Sequence, residues 1–529
     1  MFRITNKMAD NVNIYNINGN KTGLDKLNSQ MSTRKKYSDP MEDPLTSIRS
    51  LRYRASLSEL TQHLEKNVTD AMSWTDSTQT AIDTAKEIMR SLKAEYTSAA
   101  NGTNENNDRR TYYENMVNVV NEYFATGNTT NENRYIFSGA RTGDSLTFTD
   151  RNFADRAEEH GGVFPDDHVD TFKYKSIKEI FDLEDVESYS YTARKGLTGS
   201  DGSSGVTDTE ILELNSTDGN ESNVQNVEVY RLRLSYEDLD KTQEGISGDD
   251  TRKSLTLYVN GVQYPVEMIE NDYENDQDSY TGNRIFLNTT TGNLLFGSDM
   301  KDLVSEALLG KEEVYFCYDK FRFETGDVKP EHFFDCVDVG LTEPIVYSDH
   351  QQSISYNIGD GQEIRVNVNA DKVFTLDARR DLNELRDAMN AVDTAQGKYD
   401  RLKEMSEDGI KYNSDDREKI EYLMNAAKKE LEFATEKVNN MFSNGMTKSE
   451  KYFDMVNLAG TDMGSVVNRL NLIRNRLTET KATTNEQASD NENIDISTVA
   501  VDVNSATLSY NAALQVTGKI SQQSLVNFL

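Results

Sequence analysis

The residues best equipped for chemistry are few and scattered. The five histidines are His63, His160, His168, His332 and His350, and none stands in the His-Glu-x-x-His spacing that puts two imidazoles on one helix face. His160 and His168 lie near Asp166-Asp167, a set able to ligate a divalent ion, but a solvated acidic loop accounts for them better. Cys317 and Cys336 are the only thiols, which excludes a disulfide framework and a four-thiolate zinc site. A bridge between them needs Cα atoms within about 7 Å, and buried free thiols are an equal alternative. Gly310, Gly397 and Gly518 each precede a lysine, yet Glu, Tyr and Ile follow where a phosphate loop needs Ser or Thr. The acidic run 271–278 lacks the glycine and spaced glutamate of an EF-hand. No nucleophile, base and oxyanion donor come together by spacing. The expectation is a non-enzymatic chain with no catalytic, cofactor-binding or metal residues and no cofactor.

What remains is architecture. The 529 residues carry 57 Lys plus Arg against 90 Asp plus Glu, a formal charge of −33. Such a balance argues against nucleic acid, whose phosphates need a basic face, and against an anionic membrane. No run of about 18 apolar residues is present, so no membrane span is expected. The opening Met1–Lys7 has no apolar core or cleavage site, so a secretory signal is not expected either. Hydrophobic residues make up 36% and the mean hydropathy is −0.71, which favours an elongated protein over one large core.

Heptad spacing marks both arms. Leu64, Val68, Ala71, Thr75, Thr78, Ile82, Ala85, Met89, Leu92 and Tyr96 alternate by four and three, and Ile48, Leu51 and Ala55 extend the pattern back toward Pro44. Pro44 suits a first helical turn, so a helix over 45–100 is predicted, about 84 Å long at 1.5 Å per residue. A second helix carries Tyr112, Met116, Val119 and Tyr123. The spacing returns with Leu382, Leu385, Met389 and Val392, then Ile420, Met424, Ala427, Leu431, Ala434, Val438 and Met441, then Met463, Val466, Leu470, Ile473 and Leu477. A last segment holds Val499, Val503, Ala506, Tyr510, Ala513 and Ile520.

Between about 142 and 376 the period becomes two. Leu257 and Val259 lead into Asn260-Gly261, then Val262, Tyr264, Val266 and Met268, a hairpin because both turn positions need positive φ. Further hairpins are expected at Ile285–Leu287 with Leu294–Phe296, and around Gly359-Asp360-Gly361. The fold class is therefore α+β: a long antiparallel helical bundle or coiled-coil rod from both arms, with an inserted β-rich domain. The expected divisions are 1–44, an N-terminal assembly arm; 45–141, a helical rod; 142–376, the insertion; 377–490, a second rod; and 491–529, an assembly helix.

Three stretches resemble a known family. Leu27-Asn28-Ser29-Gln30-Met31-Ser32-Thr33, a basic stretch and Pro40-Met41-Glu42-Asp43-Pro44 are similar to the N-terminal motif of the flagellin-like axial proteins of the bacterial flagellum. Arg134-Tyr135-Ile136-Phe137-Ser138-Gly139 resembles the Tyr-Ile-Phe-Ser/Ala-Gly sequence of members at the hook–filament junction. Leu508–Leu529, with Ala512-Ala513-Leu514-Gln515, resembles the family's C-terminal helix. Arg34 departs from the pattern, standing where the family usually has glycine. Filament flagellins usually carry Asp-Asp-Ala-Ala-Gly where this chain has Glu42-Asp43-Pro44-Leu45-Thr46, which favours the junction role over a filament subunit. A non-flagellar coiled-coil surface protein is the other alternative.

The resemblance implies a structural subunit that joins hook to filament and templates filament growth. Its implied partners are copies of itself in a ring, an adjoining hook-associated protein, flagellin, and an export chaperone on the C-terminal helix over Val499–Leu529. The implied location is extracellular, at the hook–filament junction, after export without a cleaved signal. By terminal position and resemblance, Leu24, Leu27, Met31, Pro40, Asp43, Pro44, Val499, Val503, Ala506, Tyr510, Ala513, Ile520 and Leu525 are assigned to contacts between copies. Leu64, Val68, Ile82, Met89, Leu92, Leu431, Val438, Leu470 and Ile473 are assigned to the rod core, and Arg134, Tyr135, Ile136, Phe137 and Gly139 to the motif joining rod to insertion.

Overall fold

The structure, a computed structural model, describes residues 6–101, 106–159, 172–194, 224–245, 254–270, 277–340, 343–348, 352–359, 361–408, 411–412 and 414–526. His160, His168, His350, Asp166-Asp167 and most of the acidic run at 271–278 lie outside the described residues. In chain order the first helices are α1 (Asn6–Thr33), α2 (Pro44–Gln62), α3 (Val68–Ala99) and α4 (Asn106–Thr126). There follow β1 (Thr130–Asn131), β2 (Arg134–Tyr135), α5 (Asp150–Glu159), β3 (Tyr174–Ile180), β4 (Val186–Arg194), β5 (Val224–Arg233), β6 (Thr256–Val259), β7 (Val262–Ile269), β8 (Ile285–Asn288) and β9 (Asn293–Phe296). Next come α6 (Ser298–Leu309), β10 (Val314–Lys320), β11 (Asp335–Asp338), β12 (Ile345–Tyr347), β13 (Ser355–Gly359) and β14 (Gln362–Arg365). The chain ends with α7 (Asp377–Glu407), α8 (Ser414–Glu492) and α9 (Ile496–Val526).

These elements form two units: Met1–Met72, Tyr356–Ile364 and Asn468–Leu529 in the smaller, Ser73–Ser355 and Arg365–Val467 in the larger. The predicted helix over 45–100 is α2 running into α3 through a π-helical turn at His63–Asn67. The β13–β14 hairpin meets that turn, where the Asn67 amide donates to the Asn357 carbonyl at 2.7 Å. Nine of the ten seam residues from Leu64 to Tyr96 are buried, and only Leu64 is half-exposed. The heptad reading succeeds here because a four-three repeat keeps one stripe on one side of an under-wound helix.

Helices from the two arms pair antiparallel within each unit. In the smaller, Lys481 bonds Glu65 at 2.6 Å, and Arg474 lies against the Met72 sulfur at 3.7 Å. In the larger, Glu450 pairs with Lys93, and Gly445 sits so close to Tyr96 that a Cβ there would meet the ring at 2.3 Å. Glycine at 445 is thus what allows the two backbones to approach. The α7–α8 hairpin closes over Leu402, Met405, Ile420, Leu423 and Ala427.

The insertion is a ten-stranded sheet of order β12-β11-β3-β10-β6-β7-β8-β9-β5-β4. The β6–β7 hairpin turns at Asn260 and Gly261, at φ 52° and 74°, as the Asn-Gly signal requires. The β8–β9 hairpin forms as expected, while β7 and β8 pair in parallel. Cys317 on β10 and Cys336 on β11 flank β3, two strand spacings or about 10 Å apart, and both are buried and free. A bridge is beyond reach.

Ion pairs hold this sheet to α7 and α8. Arg231 pairs with Glu187 at 2.7 Å and Glu384 at 2.8 Å, and Arg233 with Asp377 at 2.8 Å and Asp381 at 2.5 Å. Burial alone would raise the Glu384 carboxyl, but Arg231, Arg233 and Arg380 outweigh it and hold it well below the usual range. The group is a paired structural network, each charge facing its opposite.

Candidate functional site

The chemistry of the smaller unit is concentrated where the terminal helices join the rest of it. Helix α1 ends at Thr33, and Arg34 follows at φ 59°, the left-handed region that favours glycine. Arg34, the residue that departs from the resembling motif, is therefore held where its side chain costs backbone strain. The turn then bonds the other arm: Lys36 N donates to the Glu492 carbonyl at 2.8 Å, and Ile494 N to the Arg34 carbonyl at 3.1 Å. The Lys35–Asn493 bridge between them is antiparallel.

Side chains converge on the same point. The Glu492 carboxylate accepts from Lys35 Nζ at 2.7 Å, from Arg54 Nε at 3.0 Å and Nη2 at 2.8 Å, and from the Ser50 hydroxyl. Its side chain is only 12% exposed, and hydrogen bonds from Arg54 and Lys35 hold its carboxyl below the ordinary value. Asn491 donates to the Thr46 carbonyl at 3.0 Å, and Gln30 to that of Lys36 at 2.5 Å. The Asp43-Pro44 pair starts α2: Asp43 accepts from Thr46 N at 3.1 Å as N-cap, and Pro44 occupies the first turn. None of Lys35, Ser50, Arg54 and Glu492 emerges from the sequence reading. Glu492 and Arg54 are 438 positions apart, and nothing local links them.

From this elbow α1 and α9 leave as a packed antiparallel pair. Leu24, Leu27, Val503, Ala506, Tyr510 and Ala513 are half-buried and Val499 is buried. The sequence reading assigned these residues to contacts between copies. They lie on α1 and α9, which pack against each other within one chain, and all of them but Val499 keep part of their surface exposed. Met31 and Pro40 are exposed, and the side chains of Ile520 and Leu525 lie outside the described residues.

A different apolar row faces outward. Val12, Tyr15, Val501 and Leu508 are 54%, 78%, 64% and 71% exposed, and on α2 Leu45, Ile48 and Leu51 form a second exposed stripe. Of the rod-core assignments, Val68, Ile82, Met89, Leu92, Val438, Leu470 and Ile473 are buried, while Leu64 and Leu431 are half-buried.

The motif 134–139 lies in the larger unit. Ile136 and Phe137 are buried, and the Phe137 ring meets Phe374 edge-on at 5.0 Å between centroids. The Phe137 carbonyl accepts from Ala370 N at 3.1 Å, and the Arg134 guanidinium lies over Trp74 at 5.1 Å. Tyr135 N donates to the Thr142 carbonyl at 2.8 Å, and Gly139 takes φ 61°. The motif therefore ties α3 to the segment preceding α7. Among the described residues, no group of three or more His, Cys, Asp or Glu is disposed to hold a metal, and no helix is long and apolar enough to cross a membrane. His332 is buried against the Ser145 carbonyl at 3.0 Å, and burial, with Arg141 and Lys329 nearby, lowers its pKa to about 3.

The bacterial flagellin N-terminal helical region matches residues 4–142, and the bacterial flagellin C-terminal helical region matches residues 446–529. No curated protein sequence matches the chain. Among solved structures, a chain described as a flagellar hook-associated protein from Vibrio parahaemolyticus is similar at 10% identity and a TM-score of 0.33, over 85% of this chain and 100% of that one. Flagellar hook associated protein-3 from Legionella pneumophila is similar at 11% identity and a TM-score of 0.28, over 83% and 98%. FlgL of Xanthomonas campestris is similar at 9% identity and a TM-score of 0.25, over 82% and 99%.

Proposed function

We propose that this chain, which belongs to the flagellin-like proteins through its two matched terminal regions, is a hook–filament junction subunit. It joins hook to filament and templates filament growth in a ring of its own copies. The observation that carries the reading is the outward apolar face of the terminal pair, with Val12, Tyr15, Val501 and Leu508 exposed on helices whose inner rows already pack together. An apolar face of this kind on a water-exposed helix pair calls for a further partner. The Arg134–Gly139 motif and the Glu42-Asp43-Pro44-Leu45-Thr46 sequence support the junction over the filament.

The subunit works as a structural joint. Many small apolar contacts along the helices add up over a large interface, which suits a coupling that transmits torque between two tubes. An adjoining hook-associated protein lies on one side and flagellin on the other. During export through a narrow channel, a chaperone covers the C-terminal helix from Val499 onward, masking Val501, Leu508, Leu514 and Val516 until assembly. The outer sheet faces solvent, consistent with the charge of −33. The test is to incubate purified chain alone and with isolated hooks. A junction subunit stays monomeric alone and adds to hook ends, whereas long fibres from pure chain assign it to the filament.

A further inference from the structure

We infer that Glu492 is a latch: one carboxylate that holds the turn after α1 and the turn before α9 against α2, so that losing its charge frees the terminal helix pair as a body. Three features of the smaller unit lead there. The carboxylate binds groups from two distant segments, Lys35 on the first turn and Ser50 and Arg54 on α2, while Glu492 itself ends α8. Apart from these side chains, two backbone bonds join the turns, Lys36 N to the Glu492 carbonyl and Ile494 N to the Arg34 carbonyl. The second of these depends on Arg34, whose left-handed backbone an L side chain adopts only at a cost, so the turn is poised to relax once its partner goes.

The electrostatics give the latch its sharpness. Lys35 Nζ and Arg54 Nη2 bind the same oxygen, Oε2, so the carboxylate, itself 12% exposed, neutralises two cations that reach it from the solvent side. Arg54 binds through two nitrogens, the geometry in which a guanidinium fixes direction as well as distance. Lys36 adds a bond to the Asp490 carbonyl from the same turn. Glu492 is therefore a positioning residue that sets the angle at which α1 and α9 leave α2. Its bearing on assembly rests on the junction reading, whereas the latch is a property of the monomer.

The test uses the full-length chain and hydrogen exchange at two amides, Lys36 and Ile494. In Glu492→Gln both should exchange about tenfold faster or more, while the melting of the larger unit stays unchanged. Arg54→Met should speed the same two amides, with no further gain when combined with Glu492→Gln. Unchanged exchange in Glu492→Gln, or additive effects in the double variant, overturns the latch. Faster exchange with normal addition to hook ends leaves the latch standing and overturns its role in assembly.

Discussion

In the larger unit Trp74, Ile82, Met89, Phe316 and Tyr318 are at most 1% exposed, whereas in the smaller Tyr15, Leu45, Leu51 and Leu508 are more than 60% exposed. The contrast extends to charge. Around Arg231 and Arg233 two buried guanidiniums are each paired with more than one carboxylate across packed elements, but at the elbow a single carboxylate gathers the side chains of Lys35 and Arg54. The larger unit carries a broad buried core, with Leu309, Val346 and Leu458 exposed at its surface. In the smaller, α1 and α9 pack together and leave Val12, Tyr15, Val501 and Leu508 exposed, the arrangement that the proposed addition to a growing structure requires.

The comparison breaks most visibly if the open unit is removed. Deleting residues 495–529 should abolish addition to hook ends while leaving the melting transition of the larger unit in place, read by calorimetry beside an assembly assay. Loss of both transitions would mean that the larger unit does not stand by itself. The next effect lies inside the closed unit. Ile136→Asp puts a charge into a fully buried position and should cost about 3–5 kcal/mol, measured by denaturant unfolding. An unchanged midpoint would show that the motif is not the tie between α3 and the segment before α7.

A pH prediction also belongs to the closed unit. Burial pushes the Glu179 carboxyl up to about 7, against hydrogen bonds from Ser235 and Tyr318 and with the Asp377 charge adding to the rise. A raised folded pKa stabilises below the unfolded value, and that stabilisation is lost as pH climbs through about 7. Glu179→Gln should therefore gain up to about 3 kcal/mol on the native protein between pH 4.5 and 8, then level off. His332, held neutral, works in the opposite sense, losing stabilisation as pH falls from the unfolded value of about 6.5, so the difference between variants is the quantity to measure. A difference flat in pH would contradict the assignment. The smallest effect is expected on the open face. Leu45→Ser or Leu508→Ser should change monomer stability by less than about 0.5 kcal/mol while weakening assembly. A large loss of monomer stability would show that these rows are already packed.

Much of this fold was legible because its signals are local. A four-three repeat from Leu64 to Tyr96 needs no knowledge of the partner to mark the buried side, and Asn260-Gly261 declares its turn through backbone sterics. The stripe from Val499 to Ala513 was equally visible, but not whether α1 of the same chain or a second copy would cover it. Periodicity identifies the sticky face and leaves its occupant open. The elbow was invisible for a related reason: Lys35 and Glu492 lie 457 positions apart, and single polar residues carry no period. The parallel pairing of β7 with β8 and the placing of β3 between β10 and β11 are likewise non-local choices.

The most direct measurement is immunogold electron microscopy of intact flagella with antibodies raised against the ten-stranded sheet. The account predicts a single labelled band where hook meets filament. Label spread along the filament, or none on the flagellum, would contradict it.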